Sequence, residues 1–519
     1  MRTIQLYDTT LRDGSQAEGV SFSLQDKILF AQKLDSLGFD YIEGGFPGSN
    51  EKDAQFFQHV YANPLTSAKV CAFGMTRRKG LKPDKDDGIL SLVDSRSEII
   101  TVVGKSSAFQ VAEVLNAKLD ENLAMIAETV KFFRKHNRRV FFDAEHFFDG
   151  WKDEPDYSLQ VLKTATEAGA EMLSLCDTNG GSMPDLIAAG VRAALSLPTA
   201  VGIHTHNDCG LAVANSLAAV DAGASLVQGT INGVGERCGN ADLITIAANL
   251  ALKRKGEFSV LKHGAIAGLT ELSRYVYEML NWQIPNNSPF VGKSAFAHKG
   301  GMHVSGIARN TASYEHIAPE SIGNQRRILI SELAGRSNIA AKTKRLNLQL
   351  GSETIEKILA EVVCKENKGY QYETADGSFG LIVRKCTDTY REHFKRIGYH
   401  VYVQADEDGV LVTVANVKLQ INGEVRYEVA EGDGPVSALN AAMRKALEPL
   451  YPALAEMHLV DFKVRVVNSE AATEAAVRVV IDSADKDGTW GTIGASENVI
   501  EASWIALADS IEYKLNKDI

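Results

Sequence analysis

The sequence predicts a (β/α)8 TIM barrel, then a helical connecting segment, then a duplicated α+β C-terminal domain. Three observations lead there. Eight strand-like runs alternate with helix-like runs between residue 3 and about residue 265. Polar residues of chemically useful types recur just after those strand-like runs. From about residue 386 onward a strand-pair-plus-helix pattern occurs twice.

The strand candidates are Thr3–Tyr7, Tyr41–Gly44, Val70–Phe73, Glu98–Val103, Val140–Ala144, Met172–Cys176, Ala200–His204 and Leu226–Ile231. Between them lie amphipathic stretches such as Leu24–Leu37 and Asn122–Lys135, with apolar residues every three to four positions. Repeated βα units specify a parallel sheet, and eight of them in this length match a closed barrel. The alternative is an open doubly wound sheet. No Gly-x-Gly-x-x-Gly follows the first strand, which counts against a dinucleotide-binding fold.

This barrel is read as residues 1–265. Residues 266–385 read as helical hairpins joined by turns, with a glycine-containing run from Gly292 to His303. Short alternating strands then return at Tyr399–Gln404, Val410–Ile421, Asp461–Val467 and Glu474–Ile481, making 386–519 the third region. There a strand pair followed by a helix from Gly434-Pro435-Val436 resembles a second pair followed by a helix from Glu497-Asn498-Val499. Duplicated modules of this kind more often sense ligands or dimerise than catalyse.

With 519 residues, the chain exceeds what one core usually serves. Its 45% hydrophobic and 23% charged residues are ordinary for a soluble globular protein. A net charge of -11 argues against a nucleic-acid partner. Six scattered cysteines without a Cys-x-x-Cys pair suit a reducing compartment. The sequence shows no signal-peptide core and no membrane-spanning apolar run, so the expected location is cytoplasmic.

Barrel enzymes carry their chemistry at the carboxyl-terminal strand ends. At those ends lie Arg12 and Asp13, Glu145, the run Asp177–Gly181, His204 with His206, and the run Asn232–Asn240. In a His-x-His strand both imidazoles leave the same face, because side chains alternate. Strands seven, eight and one are neighbours in a closed barrel, so Asp13, His204, His206 and Asn240 can converge. Two imidazoles with carboxylate and amide oxygens suit a divalent ion: Zn2+, Mn2+ or Mg2+. The chain is therefore expected to be an enzyme.

The run Asp8–Gln16, the motif His204-Thr205-His206-Asn207-Asp208 and the run Gly235–Asn240 resemble the DRE-TIM metallolyase superfamily. Within it they are similar to the 2-isopropylmalate, homocitrate and citramalate synthases, across essentially the whole chain. The stretches Asp143–Gly150 and Lys299–Ser305 look most like the citramalate synthase branch. Many relatives have Gln-Asp after the position of His303. This chain has Val304-Ser305, so no role of that acid carries over.

The resemblance implies condensation of acetyl-CoA with a 2-oxo acid, pyruvate in this branch, followed by thioester hydrolysis. It implies that Arg12 stabilises the keto oxygen as it becomes an alkoxide and that Thr178 binds the substrate carboxylate. Glu145 and His303 are the candidate bases, with Tyr314 beside the second. The alternative for Glu145 is a salt bridge to Arg12, and for Tyr314 packing. Lys293, Lys299 and Gly300-Gly301 are the candidate contacts for coenzyme A, with a solvated loop as the alternative. The family also implies a homodimer exchanging the connecting segment, a regulatory C-terminal domain and feedback by isoleucine. Competing readings are 2-isopropylmalate or homocitrate synthase, a metal-dependent C–C lyase, and a non-catalytic metabolite sensor.

Overall fold

Eight parallel strands close on themselves in the first half of the chain. The structure is a computed structural model that describes residues 1–329, 338–340, 343, 350–405, 409–467 and 476–517. The barrel strands are β1 (Gln5–Asp8), β2 (Tyr41–Gly45), β3 (Lys69–Met75), β4 (Ile99–Lys105), β5 (Arg139–Glu145), β6 (Met172–Asp177), β7 (Ala200–Thr205) and β8 (Leu226–Gly229). Closure rests on β1 pairing with β8, with Gln5 to Asp8 in register with Leu226 to Gly229. The predicted barrel and its eight strands are borne out, with shifted ends. Arg2–Thr3 leaves the barrel to pair with Phe258–Ser259, and β8 stops at Gly229 because Ile231–Gly233 turns into a 3-10 helix.

Helices form the outer ring. Helix Leu24–Leu37 matches its predicted bounds, and its ends carry the reason. Ser23 accepts the Asp26 backbone N–H while the Asp26 carboxylate takes the Ser23 N–H, a reciprocal cap. Gly38, at φ 84°, ends the helix in a left-handed conformation that glycine adopts without penalty. Phe30 and Leu34 on its inner face are fully buried in the barrel's core.

The barrel interior is built in layers, as period-two alternation requires. Tyr7, Tyr41, Cys71, Ile99, Phe141, Met172 and Leu226 form an apolar layer. Two residues further along the same strands come Glu43, Thr101, Asp143, Ser174 and Gln228, polar and all buried. The next step reaches the rim, with Met75, Val103, Glu145, Cys176 and His204.

The chain divides into two units: Met1–Phe296 with Ile317–Gln325, and Ala297–His316 with Arg326–Ile519. In the second unit, helix Gly301–Arg309 follows a two-residue strand, and helices Ser352–Glu366 and Asp376–Cys386 pack on one another through Ile358, Val362, Phe379 and Val383.

The duplication near the C-terminus is real but larger than the sequence reading. Each module has three antiparallel strands rather than two: β9 (Lys395–Ala405), β10 (Leu411–Ile421) and β11 (Glu424–Gly432), then β12 (His458–Val466), β13 (Val477–Asp485) and β14 (Gly488–Ser496). β11 follows β10 through Asn422-Gly423, both at positive φ, the dipeptide that suits a two-residue hairpin. The expected strand start at Glu474 lies outside the described residues. Helix Pro435–Leu447 covers the first sheet and Val499–Asn516 the second. Leu439, Met443, Val417, Leu419, Val479, Ile481, Trp504 and Leu507 share one core. Among the described residues no helix is long and apolar enough to cross a membrane.

Because Phe30 is fully enclosed, Phe30→Ala should lower the stability of the barrel transition by about 3–5 kcal/mol in denaturant unfolding followed by circular dichroism. A loss under about 1 kcal/mol would contradict this packing.

Candidate metal and substrate site

The turn after β1 is shaped by its own first residues. The Asp8 carboxylate accepts the Thr10 backbone N–H at 3.0 Å and the Thr10 hydroxyl at 2.7 Å. The Thr9 carbonyl accepts the N–H groups of Arg12, Asp13 and Gly14. Thr10 Oγ1 in turn accepts the Ile231 N–H at 2.9 Å, tying the turn to the end of β8. Burial pushes the Asp8 carboxyl up to about 7. The result is a fixed turn that carries Arg12 and Asp13 at the rim.

Asp13 meets both histidines. Its Oδ2 is 3.3 Å from His204 Nε2 and 4.0 Å from His206 Nε2, and the two Nε2 atoms are 3.2 Å apart. All three side chains are buried, and their ligand atoms lie within 4.8 Å of one another. This is a possible divalent metal site. Asn240 pairs with His206 through the backbone. Its Oδ1 is buried without a hydrogen-bond partner, while its Nδ2 donates to the Val234 carbonyl at 3.3 Å. A buried acceptor without a donor is costly unless a cation or another donor meets it. A carboxylate and two imidazoles, with an orphaned amide oxygen on the residue bridged by backbone to His206, are donors of the kind an N/O-binding metal ion takes.

Electrostatics agree. Burial alone would raise the Asp13 carboxyl, but Arg12, His204 and His206 hold it well below the usual carboxylate range. Burial also acts on the imidazoles. His206 is pushed down to about 4 by desolvation and by His204. His204 moves up, because its bond to Asp13 and the charge of that carboxylate outweigh the burial. A cation held here would take the place of the His204 proton.

Arg12 is held by groups the sequence reading did not single out. Its Nε–H donates to Glu43 Oε2 at 2.7 Å, and its guanidinium carbon lies 4.0 Å from the centre of the Phe73 ring. Glu43 Oε1 accepts the Tyr7 hydroxyl at 3.1 Å, and that hydroxyl is 2.7 Å from Thr101 Oγ1. Burial raises the Glu43 carboxyl to about 7 even against the Arg12 charge. Glu145, considered from sequence as a partner for Arg12, instead pairs with Lys105 at 2.6 Å. Glu43 is the third residue of the five-residue strand Tyr41–Gly45, one layer below the rim, so the strand-end rule that found Asp13 does not mark it.

Thr178 lies just past β6. Its Oγ1 accepts the His146 backbone N–H at 2.8 Å, and its carbonyl accepts from Arg237 at 2.8 Å. Arg237 also forks onto both Asp208 oxygens at 2.8 and 2.9 Å. Arg12, Asp13, Glu145, Thr178, His204 and His206 all line one cavity of about 320 Å3, whose apolar wall is Phe73, Met75 and Val103. His303 and Tyr314 belong to the second unit, where their rings stack with centroids 4.1 Å apart. Lys293 lies in the first unit; Lys299, in the second, pairs with Glu373.

Fold and site together define a class of barrel enzyme with an acid and two imidazoles at its rim and a duplicated sheet–helix domain later in the sequence. The HMGL-like family profile matches residues 3–276, a homocitrate synthase post-HMGL domain-like profile 290–369, and the LeuA allosteric (dimerisation) domain 373–515. The (R)-citramalate synthase of Geobacter sulfurreducens is 47% identical over 100% of this chain and 98% of its own length. That of Aquifex aeolicus is 48% identical over 99% and 98%. A probable 2-isopropylmalate synthase of Methanopyrus kandleri is 32% identical over 96% of each chain. The chain belongs to the HMGL-like family and, within it, to the (R)-citramalate synthases.

Asp13→Asn and His204→Asn should each weaken Mn2+ binding on the order of a hundredfold or more, read by electron paramagnetic resonance of the unbound ion. Wild-type affinity in either variant would remove that side chain from the site.

Proposed function

We propose that this protein is an (R)-citramalate synthase: it joins acetyl-CoA to pyruvate and hydrolyses the thioester, giving (R)-citramalate and coenzyme A. The observation that carries the reading is the convergence of Arg12, Asp13, His204 and His206 on one cavity, in a chain with relatives of that name at 47–48% identity over its full length. Asp13, His204, His206 and Asn240 would hold a divalent cation (Mn2+, Zn2+ or Mg2+), which would supply Lewis acidity toward the keto group.

Arg12 donates to the keto oxygen as charge develops there. Its clamp on Glu43 and Phe73 means the guanidinium does not reorganise during reaction. The Thr178 hydroxyl, having accepted from His146, turns its own hydrogen toward the substrate carboxylate. Glu145 or His303, the latter with Tyr314 stacked on it, takes the proton from the acetyl methyl group so that the new C–C bond can form. Water then cleaves the thioester and coenzyme A leaves as the thiol. Lys293, Lys299 and Gly300-Gly301 are the proposed coenzyme A contacts. Phe73, Met75 and Val103 crowd the cavity wall, which suits a methyl group better than a branched side chain.

We assign the C-terminal region to dimerisation and to feedback by isoleucine. The sheets support the first part: Tyr402, Leu411, Tyr427 and Val460 are more than half exposed, an apolar surface suited to burial against a second copy. The reaction would serve isoleucine synthesis in the cytoplasm.

A panel of 2-oxo acids with thiol detection tests the substrate. Pyruvate should give the highest kcat/KM, and 2-oxoisovalerate winning instead would favour the 2-isopropylmalate reading. Arg12→Lys should lower kcat about a hundred- to a thousandfold, since an ammonium cannot reproduce the fork. Near-normal turnover in that variant would exclude Arg12 from alkoxide stabilisation. Separate Glu145→Ala and His303→Ala variants identify the base by which one loses methyl-proton exchange from acetyl-CoA.

A further inference from the structure

Beneath His204 the barrel's polar layer contains a side chain to which neither motif nor strand end points. Gln228 sits in the middle of β8 and is fully buried. Its Oε1 is 3.0 Å from His204 Nδ1. Its Nε2 donates to Asp143 Oδ1 at 2.8 Å and to Ser174 Oγ at 2.9 Å, so both amide hydrogens are taken by strands β5 and β6.

That arrangement has one consequence for the imidazole. An amide whose two hydrogens are absorbed on one side presents its oxygen on the other, and an oxygen accepts but does not donate. Turning the amide over would place Nε2 against the His204 N–H and leave Asp143 and Ser174 facing an oxygen. Each buried mismatch of that kind costs about 1–3 kcal/mol. The Gln228 orientation is therefore fixed by two residues that never touch the histidine. With Nδ1 committed as a donor, Nε2 is the nitrogen left to face a cation once it has given up the proton it shares with Asp13 Oδ2, 3.3 Å away.

We propose that Gln228 is a positioning residue for the metal site: braced by Asp143 and Ser174, it fixes His204 in the Nδ1–H tautomer and aims Nε2 at the cation. The proposal rests on the metal-site reading above and adds to it a residue from the barrel interior. Orienting partners behind a ligating histidine commonly change metal affinity about 10- to 100-fold when removed.

Full-length protein tests this with Mn2+ as the probe and with 15N-histidine NMR of the Zn2+-loaded protein, the His204 signal being assigned by its loss in His204→Asn. Gln228→Met, close in size but without the acceptor, should raise the Mn2+ Kd about 10- to 100-fold. Gln228→Glu, which keeps an oxygen facing Nδ1 and, as the protonated carboxyl, an O–H for Asp143, should stay within about threefold of wild type, a rescue that mere filling of space would not produce. In the wild type, His204 should carry its proton on Nδ1, a measurement that needs no Gln228 variant to fold. Wild-type Mn2+ affinity in Gln228→Met, or a proton on Nε2 in the wild type, overturns the role of Gln228 alone. If wild-type protein binds no Mn2+ at all, the metal reading fails and this inference fails with it.

Discussion

The parallel pairing of Gln5–Asp8 with Leu226–Gly229 is the contact on which the rest of the site depends. It converts an eight-stranded ribbon into a ring and makes the first strand a neighbour of the last. Without it, Asp13 and the His204/His206 pair would lie at opposite edges of a sheet. The Thr10 hydroxyl reinforces the seam by accepting from Ile231, so one short turn both closes the ring and carries two of the proposed site residues. Sequence distance between residues 13 and 204 thereby becomes a separation of 3.3 Å.

Closing the ring creates a second constraint, because a barrel interior excludes water. Glu43, Asp143 and Asp8 are all buried there, and desolvation raises each carboxyl. Buried charges are tolerated when hydrogen bonds and opposite charges compensate them. Here Arg12 compensates Glu43, Gln228 donates to Asp143, and Thr10 donates to Asp8. Every one of these compensations also orients a rim residue. The polar layer is thus a support for the site as much as an interruption of the core, and that accounts for a barrel filled with carboxylates and amides where aliphatic side chains would pack at less cost.

Much of this was legible in the sequence, and the gaps have physical causes. The barrel strands were readable because fully buried parallel strands are nearly continuous apolar runs. Asp13, His204 and His206 were readable because they lie at or shortly past the ends of such runs. Glu43 was missed because it sits inside its strand, one layer below the rim, where a strand-end rule does not point. Gln228 was not legible at all: a neutral amide within Leu226-Val227-Gln228-Gly229 reads as an ordinary barrel residue until its partners on other strands are known. The third strand of each C-terminal module failed for two different reasons. Glu424–Gly432 alternates charged residues with Val and Tyr and could have been found. Gly488–Ser496 has glycine at three of nine positions, and glycine weakens a strand signal.

The way Arg12 is held bears on what a barrel rim can do for a developing charge. A guanidinium on a flexible stem would lose rotamer freedom each time it met an oxyanion. Here Glu43 takes its Nε–H and Phe73 lies against its face, so that ordering is completed when the chain folds. The same carboxylate also accepts from Tyr7, which is anchored by Thr101 on another strand. Displacing Arg12 therefore means disturbing β1, β2 and β4 together, and the donor geometry is set by the barrel itself. A lysine at this position would keep the charge but lose the planar fork that Glu43 and Phe73 engage. The preorganisation resides in that fork.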